Sequence, residues 1–457
     1  FLQANKQPMR WMDAVVGGKA VGVPGVLKAL HLAHQQHGKL PWSSLFEYTI
    51  ELADSGFMVS KRMQTQILRQ MNPGITKLKA SVDYFFPQGQ VVQVGELKTN
   101  KPLAAILRQI SQFGVDAFYQ GKNAKAIVDA VNNSPINPGL LSLKDLTDYK
   151  AKERAPLCAP YHQYRICGMG PPSSGGFTVL QMLALLEPFE LKQYQPNQVE
   201  AVHLYTQASR LAYADRNRYA ADSDFVNVPF QQLLNPQYLK QRVSKIKLDK
   251  DMGRATPGLT DVFANQGHDN AIELPSTSHF SIVDATGNAI SMTTSIEHAF
   301  GSAIMVNGYL LNNQLTDFSF NPSQNGKLVA NRIQPNKRPR SSMSPMMVFD
   351  KQGQLKMVIG SPGGSRIINY VAQTLVAVLD WKMDIQQAIN LPKVTNRNGI
   401  TTLESETNLV NIQAALEKKR HQVRIRTLNS GLHGIVLENG KLIGGADPRR
   451  EGIGLGL

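Results

Sequence analysis

The run Pro275-Ser276-Thr277-Ser278-His279-Phe280-Ser281-Ile282-Val283-Asp284 sets a threonine directly before an alternating strand pattern, deep inside the chain. A threonine hydroxyl is a weak nucleophile until a base takes its proton. Scission between Ser276 and Thr277 would supply that base as the threonine's own α-amine. Such an amine titrates at roughly 7.7–8.0, so an appreciable share is neutral and basic near physiological pH. One translated chain would then become two. Taken alone, a Ser/Thr-rich strand start is an ordinary strand start, so the other chemistry-bearing residues carry the decision.

Gly360-Ser361-Pro362-Gly363-Gly364-Ser365-Arg366 lies between a strand pattern ending at Gly360 and a predicted helix over 366–381. Paired glycines before a helix let backbone N–H groups approach a substrate, and the helix N-terminus favours developing negative charge. No Gly-Lys-Ser/Thr continuation follows, which excludes a phosphate-binding P-loop. A second turn, Gly168-Met169-Gly170-Pro171-Pro172-Ser173-Ser174-Gly175-Gly176, leads into an apolar helix over 177–186. His31, His34 and His37 sit towards the end of a predicted helix. Cationic side chains suit the dipole there, so the spacing does not require a metal. No Gly-x-Ser-x-Gly frames a competing nucleophile, and no metal or organic cofactor is implied.

The elements expected to position these groups are helical in the first half. One helix is predicted over 24–38, a second from Ser43 or Ser44 to Gly56, and a long one over 197–218. Residues 249–275 are polar and glycine-rich and read as an exposed, flexible linker. Strands over 278–284 and 289–295 follow, joined by a turn at 285–288.

The 457 residues, 42% of them hydrophobic, suffice for a large core in one big domain or two ordinary ones. No apolar run is long enough to span a bilayer. The first residue is Phe1 rather than Met, so the chain reads as a fragment or processed product, and a lost signal peptide is compatible with it. Lys and Arg outnumber Asp and Glu by 49 to 34, giving +15. Apart from Lys337-Arg338-Pro339-Arg340 the basic residues are dispersed, and no nucleic-acid-binding motif is found. An acidic small substrate or a cell surface fits this balance. Cys158 and Cys167 flank a predicted hairpin with a two-residue turn at His162-Gln163, which sets them opposite one another. A cross-strand disulfide is allowed there and favours an oxidising compartment over a pair of reduced thiols.

Taken together, these motifs resemble the γ-glutamyltranspeptidase family of N-terminal-nucleophile hydrolases. Five occur in order: Gly-Pro-Pro-Ser-Ser-Gly-Gly at 170–176, Thr-Ser-His-Phe-Ser at 277–281, Leu-Asn-Asn-Gln at 311–314 with Asp317-Phe318-Ser319, Ser-Ser-Met-Ser-Pro at 341–345 and the Gly360–Arg366 turn. The resemblance implies Thr277 as nucleophile and new N-terminus, cut from Ser276. Ser295, where the family usually has a threonine, would hold the nucleophile's amine. Gly363 and Gly364 would form the oxyanion hole. Ser341 and Ser342 would hold the α-carboxylate of a γ-glutamyl group, and Gln314 and Asp317 its α-ammonium. Glu297 replaces an asparagine that many members use against the same ammonium. Residues 318–340 form a shorter lid than in well-known bacterial members and lack their tyrosine. The family's carboxylate-binding arginine is expected upstream of Phe1. His279 is expected to be structural, because a free amine makes a histidine base unnecessary.

The fold expected is an α+β, four-layer αββα sandwich from a self-cleaved precursor. Residues 1–276 would be the large subunit and 277–457 the small catalytic subunit, the two remaining associated. The implied activity is a γ-glutamyltransferase and glutathione hydrolase, periplasmic or extracellular, with amino acids or peptides as acceptors. Two readings stay open beside it: a cephalosporin (glutaryl) acylase or poly-γ-glutamate-processing amidase on the same scaffold, and a non-catalytic, basic surface-binding protein.

Overall fold

The computed structural model describes residues 1–259, 265–269, 271–272, 274 and 276–456. They form two compact units, Phe1–Glu153 with Ser295–Thr316, and Arg154–Thr294 with Asp317–Leu457. The second unit holds both sides of the Ser276–Thr277 bond, so the units differ from the subunits that cleavage there would give.

The first unit is helical. The helix expected over 24–38 runs Val26–His37 and stops at Gly38. The next region begins as a 3-10 turn, Trp42–Phe46, before the helix Glu47–Ser55. Val16, Ile67, Ile75, Phe85, Ile110 and Ile127 share one core with Ala303, Ile304 and Leu311. His34 Nε2 bonds the Leu40 carbonyl at 2.8 Å, and the His31 and His34 rings meet Trp42 edge-on.

The second unit is built on an antiparallel sheet of six strands. They are β1 (Leu157–Tyr161), β2 (Tyr164–Gly168), β5 (Met346–Phe349), β6 (Leu355–Gly360), β7 (His433–Glu438) and β8 (Lys441–Ala446). Their order is β8-β7-β6-β5-β2-β1. β1 and β2 turn at His162-Gln163, pair Cys158 with Cys167, and are joined by a disulfide there. On one face lie α1 (Gly175–Leu186), α2 (Val199–Tyr219) and α3 (Ile367–Leu379). α1 is apolar nearly all round, as a helix enclosed on every side must be. Val179, Leu183, Leu211, Ile368 and Leu375 pack with Ile166, Met346, Val348, Met357 and Ile359 of the sheet.

Against the other face stands the hairpin of β3 (Ser278–Val283) and β4 (Ala289–Thr294). Its alternation is inverted relative to an ordinary core strand. The polar residues His279, Ser281 and Ser291 point at the six-stranded sheet, where Ser291 Oγ donates to the Ile359 carbonyl at 3.0 Å and Ser281 Oγ to that of His433 at 3.4 Å. The apolar Phe280, Ile282 and Ile290 face outward and are 39%, 49% and 50% exposed. Gly360 makes the close approach possible, since a Cβ on it would lie 2.2 Å from His279 Cε1.

The region read as an exposed linker is pinned at several points, while Asp249, Lys250, Gly253 and Arg254 are exposed as expected. Asp251 pairs with Arg210 at 2.7 Å, both side chains only 3% exposed. Ala255 N–H donates to Asn398, and Gly258 N–H to the buried Asp215. Gln266–Gly267 runs parallel to Lys327–Val329. Polar composition misled because Asp251 and Asp269 meet arginines far away in sequence. Residues 260–264, 270, 273 and 275 of that region lie outside the described residues.

Candidate active site

Thr277 is half-buried at the head of β3, with φ at 87°. That is a left-handed conformation which a β-branched residue adopts only under constraint. Two bonds supply the constraint. Gly363 N–H donates to the Ser276 carbonyl at 3.0 Å, and Arg450 Nη1 donates to the Thr277 carbonyl at 3.0 Å. Gly363 itself sits at φ 141°, and a Cβ on it would fall 2.7 Å from Tyr370 Cε2. Gly364 then opens the turn Gly364–Arg366 that leads into α3. Gly363 and the carbonyl before Thr277 are therefore in direct contact.

The serine pair is woven to the first glycine-rich turn. Ser341 N–H donates to the Pro172 carbonyl at 3.1 Å, and Ser174 N–H and Oγ both donate to the Ser341 carbonyl at 2.7 Å. Ser341 Oγ accepts from Met343 N–H at 3.1 Å. Ser342 Oγ accepts from Arg216 Nη2, whose Nε donates to Ser174 Oγ at 2.8 Å. Each hydroxyl thus accepts from a fixed donor, and a serine hydroxyl carries one O–H of its own. Arg216, on α2 and 2% exposed, carried no sequence signal because its partners lie far from it along the chain.

Asp317 is buried, and its carbonyl accepts from Asn331 Nδ2 at 2.8 Å. The same amide donates to Asp269 at 3.0 Å and accepts from Arg340 N–H at 2.9 Å, while Arg340 pairs with Asp269 at 2.8 Å. Asn331, fully buried inside the expected lid, thus ties Asp317 to the strand of chain that delivers Ser341. Sequence reading missed it.

In the first unit, Ser295 Oγ accepts from Glu297 N–H at 2.9 Å. Glu297, at φ 73° and 6% exposed, accepts from Asn313 Nδ2 through Oε2. Asn313 Nδ2 also bonds Thr316 Oγ1 at 2.9 Å. Gln314 is half-buried, and its N–H donates to Asn312 Oδ1 at 2.9 Å. Ser278 pairs with Thr294 at the open end of the hairpin.

His279 is held neutral. Burial pushes its imidazole down to about 3, with His433 adding to the shift. Its Nδ1 bonds Thr293 Oγ1 at 2.8 Å and its Nε2 bonds Ser281 Oγ at 3.1 Å. Both ring nitrogens are engaged, as a structural residue's would be.

A helical layer, a sheet, and a hairpin with a threonine at its head define the class of N-terminal-nucleophile hydrolases. The chain aligns in structure with a cephalosporin acylase from Bacillus halodurans at TM-score 0.85, with 24% identity, over 97% of this chain and 78% of that one. That likeness carries the fold. In sequence, the chain is 35% identical to the glutathione hydrolase proenzyme of Bacillus subtilis strain 168, over all of this chain and 78% of that protein. It is 32% identical to the acylase ACY 1 proenzyme of Pseudomonas sp. strain SE83, over 96% and 75%. The gamma-glutamyltranspeptidase family profile matches residues 1–457, and the chain belongs to that family as a γ-glutamyltransferase-class enzyme.

Proposed function

We propose that this protein is a self-cleaving γ-glutamyl hydrolase and transferase acting on glutathione and related γ-glutamyl compounds, with 1–276 as large and 277–457 as small subunit. One observation carries the reading: the Gly363 N–H already bonds the carbonyl of Ser276 at 3.0 Å. A donor so placed stabilises the oxyanion that forms when a nucleophile attacks that carbonyl.

In maturation, Thr277 Oγ attacks the Ser276 carbonyl carbon and the peptide C–N bond breaks, moving the acyl group from nitrogen to oxygen. The left-handed strain at Thr277 is released in that step. Water hydrolyses the ester, leaving a Ser276 carboxylate and a free Thr277 amine. In turnover that amine takes the Oγ proton while Oγ attacks the γ-carbonyl of the donor, and the proton passes to the departing amine. Water resolves the γ-glutamyl ester in hydrolysis, and the amine of an amino acid or peptide does so in transfer. Gly363 and Gly364 hold the oxyanion, and Ser341 and Ser342 donate to the α-carboxylate. Glu297, Gln314 and Asp317 accept from the α-ammonium, and Ser295 holds the Thr277 amine. The disulfide supports a periplasmic or extracellular location, and no helix among the described residues is long and apolar enough to cross a membrane.

Denaturing electrophoresis tests this directly. Two bands are expected, the smaller beginning Thr-Ser-His-Phe, and Thr277→Ala should give one uncut band with no turnover of a γ-glutamyl anilide. A single uncut band from the unmodified protein, or undiminished turnover by the alanine variant, overturns it. The acylase reading is separated by a glutaryl amide lacking the α-amine, which should be the poorer substrate because the carboxylates of Glu297 and Asp317 would have no ammonium to meet.

A further inference from the structure

Arg366 closes the Gly363-Gly364 turn at the start of α3, and it is 7% exposed. Among the described residues its guanidinium makes no hydrogen bond and no ion pair, and its Nε is wholly buried without a partner. Buried guanidiniums are ordinarily paired, because an uncompensated buried charge is strongly destabilising. Tyr370, four residues on and so on the same helical face, is fully buried with its hydroxyl also unpartnered.

The neighbours add positive charge. Arg397 Nη1 donates to the Ser365 hydroxyl at 2.6 Å, next to Arg366, and is exposed. Arg426 ends the strand Val423–Arg426 opposite Glu404 and is exposed too. Glu404 does not serve this group, since its carboxylate accepts from Arg449 Nη2 at 2.8 Å and from Lys393 N–H at 2.7 Å. Neither Arg397 nor Arg426 has an ion-pair partner among the described residues. Burial first, then Arg397 and Arg426, push the Arg366 guanidinium down to about 10.

We infer that Arg366, Tyr370, Arg397 and Arg426 form a binding site for a small oxyanion, a phosphate or a carboxylate, beside the oxyanion turn and separate from the donor site. The buried guanidinium and phenol supply fixed donors, and the exposed arginines supply the rim that draws the anion in. The site does not depend on Thr277 chemistry, so its failure would leave the proposed activity standing.

Thermal unfolding in phosphate-free buffer, at ionic strength held constant with sodium chloride, tests it. Sodium phosphate at 10 mM should raise Tm saturably by about 2 °C or more. The double change Arg397→Gln/Arg426→Gln should remove most of that shift. Arg366→Met should remove all of it and, without phosphate, melt no lower than the parent, because it deletes an unpaired buried charge. Acetate and malonate identify the source: a shift equal to that of phosphate assigns a carboxylate, and a phosphate-only shift assigns phosphate. A response equal to that of chloride, or one that survives either variant undiminished, overturns the proposal.

Discussion

Arg216 and Gly363 act on the proposed chemistry through hydrogen bonds whose loss has a measurable consequence. Arg216 bridges Ser174 and Ser342 with two arms of one planar fork. Lysine keeps the charge but cannot make both bonds. A hydrogen bond to a charged group contributes about 1.5–3 kcal/mol, so Arg216→Lys should raise KM for a γ-glutamyl anilide about tenfold or more with a smaller effect on kcat. Unchanged KM would remove Arg216 from carboxylate positioning. Gly363 tolerates no side chain, given its positive φ and the Tyr370 ring 2.7 Å from where a Cβ would lie. Gly363→Ala should slow self-cleavage about 10²–10³-fold, read as the uncut fraction against time on a gel.

The β3–β4 hairpin buries a polar face, and its stability should therefore follow pH. The His279 pKa is about 3 in the folded protein, against an ordinary value of about 6.5. The unfolded chain binds the extra proton first as pH falls. Stability from the neutral ring is fully present above about 6.5 and is lost towards the folded value, at up to about 1.4 kcal/mol per pH unit. His433, stacked at 6.5 Å and itself lowered by burial, works in the same direction. Urea midpoints measured from pH 7 to pH 4 should fall more steeply for the unmodified protein than for His279→Gln. Parallel slopes would show that the ring does not govern the hairpin's acid sensitivity.

Cleavage at Ser276–Thr277 would cut a loop rather than divide the second unit. β1, β2, α1 and α2 precede the bond, while β5 to β8 and α3 follow it, and β2 pairs with β5 from Met346↔Gly168 to Phe349↔Arg165. One sheet and one apolar core thus draw on both pieces. The pieces 1–276 and 277–457 should co-elute in native gel filtration and separate only in denaturant. Dissociation in native buffer would contradict the shared core.

Local pattern was enough to read Thr277 before a strand, the glycines before α3 and the hairpin that pairs Cys158 with Cys167, because strand alternation, turn residues and helix periodicity are written within a few residues. The predicted helices over 24–38 and 197–218 lie within about two residues of Val26–His37 and Val199–Tyr219 for the same reason. Tertiary structure alone decided that Gly363 meets Ser276, that Arg216 holds Ser342, and that Asn331 ties Asp317 to Arg340. It also decided that Asp251 and Asp269 are buried with arginines rather than solvated in a linker. A hydrogen bond between residues 9 to 126 positions apart leaves no local period. Whether a charged side chain is solvated or paired is set by which distant segment folds over it.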